Sequence, residues 1–504
     1  GIINGIGKFD EIDAHQVIDA AGRYLTPGFI DIHRHADFKV LGKEFGTAEL
    51  LQGITTCISG NCGMSAAPCP SEQKKVLYKY LEPCLGKVSE EEEFTSFHDY
   101  TRRVASKPLP LNAGTYAGNG TVRIAVKGFD PSPMSAGEMD KAKAYVDEAM
   151  QSGAMGLSMG IMYVPECSYS TYELTELARE ISKYNGILTT HIRGEGDSLV
   201  DSVAEVIEIA YRAEIPLNIS HFKAAGQNNW GENLNRAIEL IEDARELGQD
   251  VTCDVYPYEA GSTMLLTIIP PSFLAEGMET ALLRFDEKLE RDRLRSELSR
   301  KHNGWDNLVL SLGWERVVIS SVNQEENKRF VGKSIAEIAR DTSRDEVDCV
   351  CDLLQSEEGR VGMVIFSMSM EDVIKVMRLP YSMIISDSIY PAAGNPHPRL
   401  YGSFPRVISQ YVRKSRVLTL EKAVKKMTSM PAARVGLKGR GLVKAGYVAD
   451  LLLFNPDEVL DTATYENSTQ LAKGMDIVLI GGETVVLNGM PTGVKNGTFL
   501  RREV

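Results

Sequence analysis

The sequence predicts an α/β fold: a (β/α)8 TIM-like barrel with a small β-sandwich domain and a helical insertion. From Phe29 onward, short β-rich runs alternate with helical stretches, which is the pattern of a mainly parallel sheet covered by helices. The chain has 504 residues, enough for a decorated barrel and a second domain. A doubly wound sheet would usually carry a glycine-rich phosphate turn after its first strand, and this sequence has none.

The predicted elements follow in order along the chain. The strands include residues 54–59, 156–159, 186–190, 215–220, 250–254 and 383–386, and the helices between them include residues 136–151, 198–213 and 234–247. Residues from about 272 to 335 interrupt the alternation because they are charge-rich and helical. We therefore expect an insertion or lid at this point of the barrel.

Both ends of the chain have the pattern of short strands separated by turns. Residues 1–25 and 434–504 share this pattern, so we expect them to form one small β domain beside a barrel of residues 26–433. The first five residues resemble the middle of a strand and turn. The N-terminal part of the small domain is therefore expected to be truncated.

Composition restricts the classes of partner. The net charge of −14 argues against nucleic acid, because neutralising phosphates requires a basic face. The sequence has no apolar run of the roughly 20 residues that span a bilayer, and no signal-peptide pattern. Eight cysteines in so long a chain indicate reduced thiols rather than a disulfide framework. We expect a cytoplasmic protein with a small-molecule substrate; its oligomeric state stays open.

Two histidines alternate at the end of an apolar run, at His33 and His35. Alternate side chains of a strand share a face, so both imidazoles leave the same face where a buried strand ends. Converging imidazoles suggest a divalent-metal site. A pair of ordinary surface or core histidines is the alternative.

Four further strand ends carry groups that could serve such a site, at Cys62, His191, His221 and Asp387. Each has a structural alternative: a small buried residue for the cysteine, hydrogen-bonded structural residues for the histidines and a helix cap for the aspartate. In barrels, functional side chains gather at the C-terminal ends of strands. Imidazole, thiolate and carboxylate together suit Zn²⁺, with other transition ions left open.

This set of side chains predicts a reaction class. A catalytic zinc uses about three protein ligands and leaves a position for water, whose pKa it lowers towards about 7. A neighbouring carboxylate can take the proton of that water and pass it to a leaving amine. The chain therefore has the groups for metal-assisted hydrolysis of an amide or a related bond.

Longer motifs resemble the amidohydrolase superfamily, and within it the N-acyl-D-amino-acid deacylases (D-aminoacylases). The resemblance extends from about residue 10 to the C-terminus. Its motifs are residues 27–31, 60–63, 153–158, 220–223, 254–263, 386–387, 397–402 and 441–454. Strand 156–159 lacks the lysine that related hydantoinases carboxylate, which matches the cysteine-containing branch.

The resemblance implies a tight zinc site and a second, weaker position that share a cysteine. The tight site would be formed by Cys62, His191 and His221. The second position would be formed by His33, His35, Cys62 and Asp387. The aspartate would also be the general acid/base.

The resemblance also implies how the α-carboxylate of a substrate is held. Lys223 would supply the charge, and Tyr256 and Ser262 would add hydroxyl hydrogen bonds. Arg399 is a candidate second basic residue, which would favour acidic substrates. Asn119 stands where the family usually has a histidine, and an amide can donate a hydrogen bond but cannot carry a proton.

The expected function is zinc-dependent hydrolysis of the amide bond of N-acyl-D-amino acids, releasing a carboxylate and a D-amino acid. Phe222 replaces a second histidine of the family's Ser-His-His-Lys pattern. The departures at Asn119 and Phe222 keep open a related hydrolase of an L-configured, dipeptide-like or cyclic amide. A non-catalytic amidohydrolase-like scaffold is a further alternative. Specificity is expected to reside in residues 272–335 and in loops such as 390–401.

Overall fold

A computed structural model describes residues 1–9, 14, 16–89, 92, 94–391 and 393–502. These residues adopt a mixed α/β fold. The predicted small-domain segments 1–25 and 434–504 and the loop 390–401 include a few residues outside the described ranges.

The strands are distributed along the whole described part of the chain. They are β1 (Tyr24–Pro27), β2 (Phe29–Asp31), β3 (Ile54–Ser59), β4 (Asn112–Thr115), β5 (Ala117–Gly118), β6 (Gly156–Gly160), β7 (Ile187–His191), β8 (Leu217–Ile219), β9 (Val251–Val255), β10 (Gly261–Met264), β11 (Val317–Ser321), β12 (Gly362–Ile365), β13 (Ser382–Ile384), β14 (Leu451–Phe454), β15 (Met475–Ile480), β16 (Glu483–Leu487) and β17 (Met490–Pro491).

Helices separate most of these strands. They are α1 (Thr47–Leu50), α2 (Lys74–Leu85), α3 (Phe97–Ala105), α4 (Asn119–Lys127), α5 (Ala136–Gln151), α6 (Thr171–Arg179), α7 (Leu199–Ala213), α8 (Glu232–Glu246), α9 (Met278–Arg284), α10 (Lys288–Leu298), α11 (Leu308–Leu312), α12 (Ile335–Thr342), α13 (Glu346–Ser356), α14 (Met370–Arg378), α15 (Arg399–Arg406), α16 (Leu420–Met427) and α17 (Ser429–Arg434). A π-helix, Val407–Lys414, continues α15. Within the described residues, no helix combines the length and apolarity needed to cross a membrane.

Two parallel sheets hold the predicted strand ends. One has the order β2-β3-β4 and the other β13-β9-β8-β7-β6-β5. At one junction β4 and β5 flank Tyr116 in a continuous stretch of chain. At the other, Asp387 N donates to His33 O and His35 N donates to Ser388 O, both at 2.9 Å. The two sheets are therefore linked at both edges, an arrangement that fits the predicted barrel.

The parallel strands are buried on both faces, as helix-covered strands are. All six residues of β3 and all five of β6 and β7 are buried. Helix α7 buries Leu199, Val203, Val206 and Ala210, a spacing of three and four residues that forms one apolar face. This packing holds the C-terminal ends of the strands in fixed relative positions.

A separate antiparallel sheet joins the two ends of the chain. Its order is β1-β14-β15-β16-β17, and Tyr24 of β1 pairs with Phe454 of β14. Farther along, the C-terminal segment returns to the parallel strand β4: Ala113 N donates to Thr498 O at 3.0 Å, and Leu500 N donates to Ala113 O at 2.7 Å. The N- and C-terminal segments thus share one sheet.

The segment between β9 and β13 carries additional structure. Strands β10, β12 and β11 form an antiparallel sheet in that order; α12 packs against β11, and α9, α10 and α12 pack against α13. The predicted insertion, residues 272–335, lies inside this segment and contains α9, α10 and α11 together with β11.

Candidate active site

The six candidate metal and acid residues lie together at the C-terminal ends of five parallel strands. His33 and His35 follow β2, and Cys62 follows β3. His191 is the last residue of β7, and His221 and Asp387 follow β8 and β13. Ligand atoms of the first group, His33, His35, Cys62 and Asp387, lie within 4.8 Å of one another. Those of the second group, Cys62, His191 and His221, satisfy the same limit.

Cys62 belongs to both groups and lies between them. Its Sγ is 3.3 Å from Nε2 of His33 and 3.4 Å from Nε2 of His221. On the other side of the first group, Oδ1 of Asp387 is 3.3 Å from Nε2 of His33 and 3.3 Å from Nε2 of His35. One sulfur therefore faces both histidine pairs.

Three of these residues have left-handed backbone conformations that non-glycine residues rarely adopt. The φ angles are 53° at Cys62, 35° at His221 and 50° at Asp387. Such conformations cost about 1–3 kcal/mol each and persist where the surroundings hold them. Oδ1 of Asp254, on β9, accepts from the backbone N–H of His221 at 2.5 Å. These backbone conformations direct the side chains of Cys62, His221 and Asp387 toward a common centre.

The donor set fits a zinc ion. Both ring nitrogens of His191 are buried without a hydrogen-bond partner among the described residues. Burial lowers the pKa of His191 well below its ordinary value, and burial with the nearby Lys223 does the same for His221. Neutral imidazoles with free lone pairs beside a thiol form the ligand chemistry that Zn²⁺ prefers.

The pKa values of the Asp387 carboxyl and the Cys62 thiol are shifted in opposite directions. Burial raises the pKa of the Asp387 carboxyl, but Arg399 and then His33 outweigh burial and hold this pKa well below its usual range. Nη1 of Arg399 is 2.8 Å from Oδ2 of Asp387. Burial raises the pKa of the Cys62 thiol to about 11. Asp387 is therefore ionised at neutral pH and able to accept a proton.

A buried network fixes the ends of β2 and β13. The fully buried Arg34 lies between the two candidate histidines and contacts Asp31 at 3.0 Å and Glu49 at 2.8 Å. The backbone N–H of Ser386 donates to Oδ1 of Asp31 at 3.1 Å. Because Ser386 immediately precedes the candidate acid, this network ties the acid to the strand that carries the histidines.

A cavity of about 670 Å³, counted with its opening to solvent, contains the site. Five of the candidate metal and acid residues line it: His35, Cys62, His191, His221 and Asp387. Four predicted substrate contacts also line it: Lys223, Tyr256, Ser262 and Arg399. The structure therefore brings the predicted substrate groups to the same cavity as the metal ligands.

Lys223 has protein partners in the cavity. Its Nζ is 2.5 Å from Oε1 of Glu195 and 2.8 Å from Nδ1 of His221, and Glu195 Oε1 is itself 3.0 Å from that ring nitrogen. In the tautomer that carries its proton on Nδ1 and donates it to Glu195, the lone pair of His221 Nε2 is free for a metal. Glu195 therefore both restrains the lysine and orients the imidazole.

Arg399 is fully buried and packs against the remaining predicted substrate groups. It donates from Nη2 to the backbone carbonyl of Ser262 at 2.9 Å, and its guanidinium carbon is 4.7 Å from the centre of the Tyr256 ring. The hydroxyl of Ser262 donates to Met363 O at 2.8 Å. Arg399 thus connects the candidate acid to the wall of the cavity.

Asn119 lies at the start of α4 and is not among the described residues that line the cavity. Its amide Nδ2 donates to Oε1 of Glu166 at 2.7 Å, and both side chains are buried. Burial raises the pKa of Glu166 to about 7. A Cβ built on Gly63, next to Cys62, would lie 2.1 Å from Oε2 of Glu166. This pair therefore packs beneath the turn that carries the cysteine.

Sequence reasoning missed Glu195, Asp254 and Glu166 as parts of the site. Glu195 lies four residues after His191 in a loop, and its role depends on a lysine that is distant in sequence. Asp254 is the fourth residue of β9 and lies in the motif 254–263, but its place in that motif alone indicates no role. An acid shortly after a strand-end histidine could have identified Glu195 as a candidate partner of the imidazoles.

Comparison with known proteins gives the family. Residues 16–270 and 377–486 match the model of the amidohydrolase family. A D-aminoacylase from Alcaligenes xylosoxydans xylosoxydans is 34% identical over 99% of this chain and 92% of that protein. The chain belongs to the amidohydrolase family. The gap between the two matched ranges of this amidohydrolase falls on the segment between β9 and β13.

Two further relatives define the branch of amidohydrolases. An N-acyl-D-aspartate deacylase from the same organism is 32% identical over 98% of this chain and 88% of that protein. The crystal structure of an N-acyl-D-glutamate deacylase from Bordetella bronchiseptica, complexed with zinc and a phosphonate mimic of the tetrahedral intermediate, is 29% identical. It has a TM-score of 0.82, covering 99% of this chain and 94% of that chain. The predicted resemblance to the N-acyl-D-amino-acid deacylases is confirmed.

Proposed function

We propose that this amidohydrolase is a zinc-dependent deacylase of N-acyl-D-amino acids that releases a carboxylate and a D-amino acid. The observation that carries the proposal is the shared Cys62 between two groups of histidines, with Asp387 in contact with one group. The relatives named for deacylation of D-amino acids span nearly the whole chain, which supports the same substrate class here.

The proposed tight zinc site consists of Cys62, His191 and His221, and the proposed weaker position consists of His33, His35, Cys62 and Asp387. The orphaned ring nitrogens of His191 support the first assignment. Zinc held there would activate a water molecule and polarise the scissile carbonyl.

In the proposed reaction, Asp387 is the general acid/base. Its ionised carboxylate accepts a proton from the attacking water and later gives it to the leaving nitrogen. Arg399 keeps this carboxylate oriented through the contact to Oδ2. Lys223, which now contacts Glu195, turns to the substrate α-carboxylate, with Tyr256 and Ser262 as neighbouring hydroxyl donors.

The other assignments are proposals of the same kind. We propose that the two parallel sheets close into a (β/α)8 barrel within residues 26–433 and that residues 1–25 and 434–504 form a β-sandwich domain. Asn119 keeps its predicted role at the substrate only if a bound substrate reaches it. All eight cysteines are free thiols, which supports a cytoplasmic location.

The test is amine release by the zinc-reconstituted chain from a panel of N-acetyl-D-, N-acetyl-L- and cyclic amides. We expect release from N-acetyl-D-amino acids, with the L-enantiomers as matched controls of identical composition. Absence of amine release from every N-acetyl-D-amino acid would refute the proposal. Preference for L-configured, dipeptide-like or cyclic amides would identify a different amidohydrolase. If the purified protein contains no metal in a metal analysis, the result would indicate a non-catalytic scaffold.

A further inference from the structure

The cations that line the cavity are already paired with acids. Among the described lining residues, the basic side chains are Lys223 and Arg399. The first contacts Glu195 at 2.5 Å and the second contacts Asp387 at 2.8 Å. In the proposed reaction, Lys223 engages the α-carboxylate of the substrate, while Arg399 stays paired with Asp387. A second carboxylate, on the substrate side chain, would find no further lysine or arginine in this described lining.

A third carboxylate enters the cavity from the predicted insertion. Asp306 lines the cavity, and its oxygens accept from the backbone N–H groups of Gly196 at 2.6 Å and Ser198 at 3.0 Å, and from the Ser198 hydroxyl at 2.8 Å. These donors are neutral. Lys301, which also interacts with Asp306, binds Asp197 at 2.8 Å and is largely exposed. Asp306 therefore forms no ion pair within 4 Å with a lysine or arginine of the described residues, and it adds an acidic group to the cavity wall.

The rest of the wall is mainly apolar. Met64, Met162, Tyr163, Leu308, Ile365 and Ile389 line it. Leu308 is the first residue of α11 and lies two residues after Asp306, so the insertion supplies both an acidic and an apolar group to the same cavity. Contact with such a surface stabilises a bound apolar side chain by removing it from water. A charged side chain finds no partner there.

We propose that the cavity selects N-acyl-D-amino acids with uncharged, apolar side chains, and that Asp306 and Leu308 are specificity-determining residues. This inference rests on the proposed function. An acidic side chain would lose water, gain no cation and face the like charge of Asp306, whereas an apolar one would replace water against the wall.

The hydrogen bonds of Asp306 also fix the insertion to the site. The segment that it holds, residues 196–198, directly follows Glu195, the partner of Lys223. A Cβ built on Gly194 would lie 2.6 Å from Oδ2 of Asp306, so the two segments approach closely. The selective wall is therefore attached to the loop that positions the substrate-binding lysine.

The test compares kcat/KM of the zinc-loaded full chain on N-acetyl-D-leucine and N-acetyl-D-methionine with that on N-acetyl-D-aspartate and N-acetyl-D-glutamate. We expect the apolar pair to be preferred by at least about 100-fold. Equal or greater efficiency on the acidic pair would overturn this inference and leave the proposed function intact. No turnover of either pair would overturn the proposed function itself.

Two variants test the assigned residues. Asp306→Asn removes the repelling charge, and Leu308→Arg supplies a cation at the wall. Each should raise the acidic-to-apolar ratio of kcat/KM by about 10-fold or more. Asp292→Asn, on α10 with a half-exposed side chain, is the matched control and should leave the ratio unchanged. An unchanged ratio in folded, zinc-loaded Leu308→Arg would overturn the role of this wall.

Discussion

Cys62 is the residue on which both proposed metal positions depend. Replacing it with alanine should abolish zinc retention and activity, because the histidines that remain would lose their shared sulfur ligand. Metal analysis of dialysed protein and amine release measure the two losses. Cys57→Ala, a buried cysteine inside β3, is the matched control and should retain zinc. Retention of zinc by the Cys62→Ala variant would contradict the assignment.

Asp387 allows binding and chemistry to be separated. Asp387→Ala should keep zinc at the tight site, because Cys62, His191 and His221 remain, yet lose turnover by about 10²–10⁴-fold, the usual contribution of a general acid/base. Zinc content and kcat, determined on the same preparation, check this outcome. Undiminished turnover would remove Asp387 from its proposed role.

Glu166 gives a pH-dependent test of the turn beneath the cysteine. Burial raises its pKa from 4.5 to about 7, so the folded state holds this proton more tightly than the unfolded state. The resulting stability is present below pH 4.5 and is lost as the pH rises through 7. Glu166→Gln should therefore gain stability relative to wild type between pH 5 and 8, by up to about 3 kcal/mol.

Urea denaturation at pH 5 and pH 8 measures this gain. The matched control is Glu208→Gln, because Glu208 lies on α7 with a half-exposed side chain. Its free energy of unfolding relative to wild type should be nearly the same at both pH values. A pH-independent effect of Glu166→Gln would show that this carboxyl is ionised throughout the range.

At the residue scale, the sequence predicts the metal ligands better than the side chains that hold the site residues in place. Histidines and a cysteine directly after apolar strands are visible as a pattern, because strand ends and ligand types are both local properties. The pairing of Lys223 with Glu195 and of Asn119 with Glu166 depends on side chains from different strand–helix units. Such contacts follow from three-dimensional packing, which spacing along the chain does not encode.

At the scale of the elements, the end of β6 packs closely against the turn that carries Cys62. A Cβ on Gly160 would lie 2.0 Å from the backbone oxygen of Cys62. Gly160→Ala should displace the cysteine, weaken zinc binding by tenfold or more, and lower the free energy of unfolding by about 1–3 kcal/mol. Zinc titration and denaturant unfolding measure these effects.

Gly137→Ala is the matched control for that substitution. Gly137 is exposed in α5, and a Cβ there would meet no heavy atom within 4 Å. Because alanine favours helix over glycine, this variant should gain about 0.5–1 kcal/mol and bind zinc normally. Normal zinc affinity in Gly160→Ala would mean that the turn after β3 tolerates the added methyl group.

Element prediction succeeded where periodicity was strong. Residues 54–59 and 136–151 were predicted with the bounds of β3 and α5, and the predicted helix 198–213 differs from α7 by one residue. The segment around 272–335 was predicted as helical because of its charged stretch, whereas β11 in this range pairs with β12, more than 40 residues later. Antiparallel pairing over such a separation leaves no local pattern.

At the scale of the whole molecule, the C-terminal segment packs against the parallel strands. Arg502 donates to the carbonyl oxygens of Met155 at 3.2 Å and Val435 at 3.3 Å. Arg502→Ala would leave these acceptors without this donor and should lower the free energy of unfolding by about 1–3 kcal/mol. Arg501→Ala, at an exposed neighbouring position, should have a smaller effect in the same denaturant assay.

The pairing of β1 with β14 has a consequence for biosynthesis. Leu451 follows Pro27, its partner in the sheet, by 424 residues. At roughly 5–20 residues per second, the ribosome takes about 20–80 seconds to deliver β14 after β1 has been made. During that interval Tyr24 and Leu25 have no β14 to pair with, so this edge of the antiparallel sheet forms only after residue 454 has been made.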